Sequence, residues 1–304
     1  MSHSGVMPMT QARSRNFHRF YDINGWCFVL ASLTLVLLFM IYPSLNSLWL
    51  SLHSGKGVIV QFVGFGNITR LMNDQVFITA LTNTLIFLIV QVPLMILLSL
   101  ATASCLNSPN VRFRSFFRMA IFLPCVTSLV AYSILFKSMF GYDGIVNSAL
   151  MTIGLIEHPI AWLTDPFWSK VTIILAITWR WTGYNMIFYL AAMQNIDKSI
   201  YEAAKLEGVS PVQTFFHITV PLLKPVILFT SVMSTIGTLQ LFDEVMNITN
   251  GGPANATLTL SMYIYNLSFK FVPNFGYAAT VSYVIVFFAA VLALVQFKFV
   301  QDKK

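Results

Sequence analysis

The residues best suited to chemistry cluster at two places in this 304-residue sequence. The first is Trp179, Arg180, Trp181, Thr182, Gly183, Tyr184, Asn185 and Met186, where a cation and hydrogen-bonding side chains stand among aromatic rings. The second is Ser234, Gly237, Thr238 and Gln240, with Ser234 and Thr238 spaced to share one helix face. Hydrogen-bonding groups beside aromatic rings suit a ligand that offers hydroxyl groups and flat apolar faces. Small polar residues of this kind also serve close packing between helices. Arg180 reads in two ways: a structural partner of Asp243 or a backbone carbonyl, or a reader of an acidic or phosphorylated ligand.

Bond-breaking chemistry has no comparable set of residues. There is no Ser/His/Asp constellation and no paired carboxylates. His3, His18, His53, His158 and His217 are scattered without metal-ligand spacing. Cys27, Cys105 and Cys125 stand apart in apolar stretches with no CxxC pattern. A GxxxxGK[ST] phosphate loop is missing, so this chain has no usual means of binding ATP. The expectation is no catalytic residue, no metal site and no cofactor on this chain.

The elements that hold these residues must be membrane helices. Hydrophobic residues make up 57% of the chain and charged residues 10%, with mean hydropathy +0.73; soluble domains carry about 25% charge. Helices of about 20 apolar residues are needed to cross a bilayer. Such windows predict six helices, near 26–50, 79–105, 117–139, 169–192, 225–246 and 276–298: an all-α integral membrane protein. The first run is too long for a cleavable signal peptide. The net charge of +7 reflects topology rather than nucleic-acid binding. Arg13, Arg15, Arg19, Arg112, Arg114, Arg118, Lys198, Lys205, Lys224, Lys298, Lys303 and Lys304 fall on one side, which is then cytoplasmic and holds both termini. The division is a cytoplasmic segment 1–25, a transmembrane domain 26–299 and a cytoplasmic tail 300–304. Asp243 and Glu244 then stand at the outer end of the fifth span, where Asp243 is a candidate outer gate.

Residues 196–222 lie on the cytoplasmic side between the fourth and fifth spans. Ser199 with Glu202, and Ser210 with Gln213, have the spacing of capping boxes. Gly208 stops the first short helix, Pro211 opens the second and Pro221 ends it. Val212, Phe215, Phe216 and Thr219 form an apolar stripe on one face of the second helix. An apolar stripe on the water side calls for a partner.

This segment resembles the EAA loop of the inner-membrane subunits of ABC importers. The matching positions are Glu202, Ala203, Ala204, Gly208, Ile218 and Pro221, with Val220 where the pattern has leucine. Further stretches are similar to the carbohydrate group, specifically the first permease subunit of maltose-type systems: Ile41-Tyr42-Pro43-Ser44, Phe65-Gly66-Asn67, Ile121-Phe122-Leu123-Pro124, Phe140-Gly141-Tyr142-Asp143-Gly144-Ile145-Val146-Asn147 and Thr249-Asn250-Gly251-Gly252-Pro253. The resemblance implies the type I permease fold of ABC importers in a bacterial inner membrane. It implies a second homologous permease subunit, two ATPase subunits that carry ATP and Mg, and an extracytoplasmic solute-binding protein. It places the EAA loop in a groove of the ATPase, and sugar contacts near Trp179, Thr182, Gly183, Met186, Ser234, Gly237 and Thr238. A sugar or oligosaccharide is the expected cargo, with uronates, polyols and glycerol phosphates as alternatives. An ion-coupled secondary transporter is the remote alternative, for which a midplane carboxylate is missing.

Overall fold

Backbone polar groups in lipid have no water to bond, so an apolar chain there closes its hydrogen bonds within helices. The computed structural model describes residues 25–26, 28–55, 61–108 and 111–301. The expectations for the basic N-terminal segment through Asn24, for Cys27 and Lys56, and for Lys303 and Lys304 lie outside these residues.

In chain order the elements are α1 (Phe28–Ser51), the short antiparallel strands β1 (His53–Ser54) and β2 (Gln61–Phe62), and α2 (Gly66–Met72). Next come α3 (Gln75–Asn107), α4 (Arg114–Val126), α5 (Leu129–Met139), α6 (Ile145–Thr152) and α7 (Pro166–Gln194). The rest are α8 (Lys198–Leu206), α9 (Pro211–Leu222) and α10 (Lys224–Leu239), α11 (Asp243–Ile248), α12 (Leu260–Tyr265) and α13 (Phe275–Gln301).

Three of these helices, α1, α3 and α13, are long and apolar enough to cross a membrane. At about 1.5 Å per residue, the 29 residues of α7 also exceed the hydrocarbon thickness, but its polar midsection dilutes the hydropathy. The expected helix 117–139 is not continuous. It is two helices, α4 and α5, bent by 100°. Pro124 removes one backbone donor near the end of α4, and Thr127 and Ser128 are extended. The expected span 225–246 is also corrected: α10 ends at Leu239, and α11 is a separate short helix. The carbonyl of Leu241, freed at that break, accepts from the Thr259 hydroxyl at 2.6 Å.

α3 and α7 form the most extensive pair, with α4 against α7 and α10 against both α3 and α13. Gly183 makes the α4–α7 approach possible, since a Cβ there would lie 2.0 Å from the Ile121 carbonyl oxygen. Two apolar clusters fill the bundle. One, built around Phe87, Ile173, Leu239 and Tyr277, occupies the end away from residues 198–222. The other, built around Leu100, Met186, Tyr189 and Leu223, sits at the end that carries them.

Buried asparagines fasten the loops at the first of these ends. Asn147 donates to Tyr142 O and Ile160 O and accepts from Ile160 N and the Trp162 indole, all between 2.8 and 3.1 Å. Asn67 donates to Ser51 O and His53 O at 2.8 Å. The Phe65-Gly66-Asn67 and Gly144-Ile145-Val146-Asn147 stretches therefore work through side chains that satisfy loop carbonyls.

Candidate functional site

Two regions carry the residues singled out in the sequence. The first is a cleft of about 430 Å³ halfway along the bundle, between α3, α7 and α10 and beside the break at 240–242. Tyr184 and Asn185 line it from α7, and Ser234, Gly237 and Thr238 from α10, with Gln240 and Asp243 at the break. The pattern on each helix brings these faces together, because Trp181, Tyr184 and Asn185 are three to four residues apart.

Trp179, Arg180, Thr182, Gly183 and Met186 are outside this wall. Trp179 points to the other side of α7, stacked on Tyr132 with ring centroids 6.1 Å apart. Thr182 and Met186 are buried, and Met186 belongs to the apolar cluster around Leu190 and Tyr189. Thr182 donates to Thr178 O at 2.6 Å, and its carbonyl accepts from Ser99 at 2.9 Å. Gly183 packs on α4. Arg180 is 6% exposed. Its guanidinium donates to Pro124 O and Thr127 O at 3.5 and 3.2 Å, and lies 5.1 Å from the Tyr132 ring centre. Those carbonyls belong to the broken end of α4, so the arginine supplies donors that the interrupted helix lost.

Gln91 and Met95, which the sequence pattern did not single out, also line the cleft. Gln91, at the midpoint of α3, accepts from the Thr238 hydroxyl at 3.1 Å and donates to Met95 Sδ at 3.3 Å. Asn185 donates to the same sulfur at 3.4 Å. Glu244, 5% exposed, lines the cleft beside Trp181. A glutamine at the middle of a 33-residue apolar helix was the available hint, because a polar side chain there needs a partner.

The second region is the helical elbow of α8 and α9. Asp197, not Ser199, caps α8: its carboxylate accepts from Ser199 N at 3.0 Å. That backbone hydrogen bond holds the Asp197 carboxyl below its ordinary pKa. Gly208 has φ +75°. Val209 N bonds Ala204 O at 3.0 Å and Gly208 N bonds Lys205 O at 3.1 Å, the paired closure that a left-handed glycine permits. Ser210 and Gln213 form the expected capping box.

Pro221 does not end the second helix, which runs on to Leu222 before a 73° bend into α10. Its missing N–H instead widens the turn before it, Phe215–Thr219, into a π-helical one. The expected apolar stripe consequently divides. Phe215 packs on the inner cluster and Thr219 is buried, 3.2 Å from the Tyr201 hydroxyl. Val212 and Phe216 face outward, together with Leu206, which is 90% exposed. Glu202, Ala203, Gly208 and Pro221 are exposed, Ile218 is half-buried and Ala204 is buried. Among the described residues, no group of three His, Cys, Asp or Glu could hold a metal ion.

The family model for the binding-protein-dependent transport system inner membrane component matches residues 95–301, which take in both the elbow and most of the cleft. The chain belongs to that family. This permease is 62% identical over 297 residues to the lactose transport system permease protein LacF of Rhizobium radiobacter, covering 97% of this chain and 99% of that one. It is 35% identical over 269 residues to the arabinooligosaccharides transport system permease protein AraP of Bacillus subtilis, covering 86% and 83%. The permease fold matches a chain of a bacterial ABC transporter involved in the import of the acidic polysaccharide alginate, with TM-score 0.79 at 23% identity over 97% of this chain and all of that one. It also matches a chain of the bacterial alginate ABC transporter in complex with alginate pentasaccharide-bound periplasmic protein, with TM-score 0.74 at 26% identity over 94% of each.

Proposed function

We propose that this permease forms half of the pathway by which a small sugar or oligosaccharide crosses a bacterial inner membrane. The observation that carries this is the midbundle cleft, where Trp181 and Tyr184 stand with Gln91, Asn185 and Thr238. Rings that stack on sugar CH faces and amides and hydroxyls that bond sugar OH groups meet there. The 62% identity to a lactose permease along nearly its whole length supports a disaccharide-sized cargo.

In this reading the spans are six. α4 with α5 counts as one bent span, α7 and α10 each cross the membrane once, and both termini are cytoplasmic. A second, homologous permease supplies the other half of the pathway, and a binding protein delivers cargo from outside. ATP and Mg belong to two separate ATPase subunits, and this chain performs no hydrolysis. The elbow carries their motion. Glu202 offers an exposed carboxylate, Ala203 allows close approach, and Leu206, Val212 and Phe216 present apolar surface to the ATPase groove. Ala204, Gly208, Ile218 and Pro221 fix the elbow's shape, and the buried Leu223 passes its movement to α10. Asp243, at the start of α11, acts as an outer gate.

The test is reconstitution of the complete importer in liposomes, with ATPase rate and sugar uptake measured with and without the sugar-loaded binding protein. Glu202→Ala should abolish most of the stimulated ATPase activity and uptake while leaving assembly intact. Full stimulation in that variant would remove the elbow from the coupling path. Uptake that persists without ATP on an ion gradient would replace the whole reading with secondary transport.

A further inference from the structure

The cleft has a charge pattern that sugar binding alone does not require. Asp243 and Glu244 both line it, and among the described residues no lysine, arginine or histidine does. Asp243 is exposed to the cleft mouth and Glu244 is nearly buried in its wall. Arg180 is the cation within range of Glu244, but its guanidinium is held by the Pro124 and Thr127 carbonyls and does not reach the lining. Asp243, exposed and with no cation among the described lining residues, therefore sets the sign of the charge in the cleft. Trp181, Phe242 and Phe229 also line the cleft, and apolar walls strengthen the effect of a charge at short range.

We propose that Asp243, with Glu244 beside it in the wall, makes this cleft selective for uncharged saccharides, by excluding cargo that carries a carboxylate or phosphate. This rests on the reading of the cleft as a sugar site. A neutral sugar can donate hydroxyl hydrogens to the Asp243 carboxylate, whereas an anionic group placed there meets like charge with no cation among this chain's described lining residues to pair. Discrimination of this kind comes from a repulsive element rather than from extra contacts to the preferred cargo. It supplies a filter inside the membrane that is separate from selection by the binding protein.

The test compares lactitol with lactobionate, which differ by a hydroxymethyl group against a carboxylate, on the complete importer purified without its binding protein. Equilibrium dialysis with radiolabelled ligands gives the ratio of dissociation constants, with lactose as the reference sugar. The wild-type importer should bind lactitol at least about tenfold more tightly than lactobionate, the ratio that about 1.4 kcal/mol of repulsion produces. The ratio should fall towards one in Asp243→Asn/Glu244→Gln, and part of the way in Asp243→Asn. Equal binding of the two ligands by the wild-type importer would overturn the proposal. So would an unchanged ratio in Asp243→Asn, a surface change that folds even if the double variant does not. Failure of lactose, lactitol and lactobionate alike to bind the wild-type importer would instead overturn the sugar-site reading on which the proposal stands.

Discussion

Gly183 of α7 and Ile121 of α4 meet backbone to backbone, so closely that a methyl group on Gly183 would lie 2.0 Å from the Ile121 carbonyl oxygen. Neither atom is the end of a flexible side chain, so the helices themselves would have to part. Gly183→Ala should therefore cost about 1–3 kcal/mol, the usual range for overpacking a tight interface. A thermal-stability assay in detergent should report a clear drop in the unfolding midpoint. An unchanged midpoint would mean that the two helices are further apart than described.

Arg180 completes the broken end of α4 and stands near the buried Glu244. Arg180→Met leaves the buried Pro124 and Thr127 carbonyls without their donors, a change that costs about 1–3 kcal/mol. Arg180→Met/Glu244→Gln should recover part of that loss, by more than about 0.5 kcal/mol of coupling. Additive losses in the double variant would show that the two side chains do not act on each other.

Asp74 caps α3 through Val76 N and Phe77 N and accepts from Tyr263 and Tyr277 at 2.5 and 2.6 Å. It thereby ties the start of α3 to α12 and α13. Burial raises its pKa, but the two tyrosine hydroxyls and the two backbone donors outweigh that, and the net position is below the ordinary 3.8. A depressed carboxylate stabilises the fold fully above its unfolded-state value, and the gain is lost as pH falls through the lower native value. Stability contributed by Asp74 should thus be constant from neutral pH down to about pH 4 and decline below it. Asp74→Ala should lower the midpoint at pH 7 by losing a cap worth about 1 kcal/mol and two tyrosine bonds, and should flatten the acid decline. Equal acid sensitivity in wild type and Asp74→Ala would count against this role.

Gly208 holds φ +75° at the elbow with open space around its α-carbon. Gly208→Ala therefore meets no clash and pays only for the left-handed backbone, about 1–2 kcal/mol. Coupling should suffer more than stability, because the angle between α8 and α9 is what an ATPase would grip. The expected result is reduced uptake per ATP hydrolysed, with assembly and the midpoint of the bundle little changed. A stability loss with normal coupling would reverse that assignment.

Phe216→Ser and Val212→Ser should leave folding unaffected, since both side chains are more than half exposed, yet weaken retention of the ATPase during purification. Phe215→Ser should instead destabilise the permease, because that ring packs on the inner cluster. Equal behaviour of Phe215 and Phe216 would mean that the π turn does not divide the stripe.

The sequence by itself determined the membrane class, the helical content and the elbow. Those rest on local rules: charge-free windows of span length, a serine–glutamine capping box and a glycine at a helix end act over a few residues. It also determined that Tyr184, Asn185, Ser234 and Thr238 belong to polar helix faces, since spacing alone fixes a face. Only the tertiary structure decided which faces meet. Gln91 enters the cleft wall because α3 lies beside α10, and Thr238 reaches it from 147 residues away. Arg180 turns to α4 because that helix breaks and frees two carbonyls. Trp179 and Met186 leave the cleft because neighbouring helices claim their sides of α7. A residue's partner across the bundle depends on packing that no local pattern encodes, so the sequence could name candidates and the fold alone could choose among them.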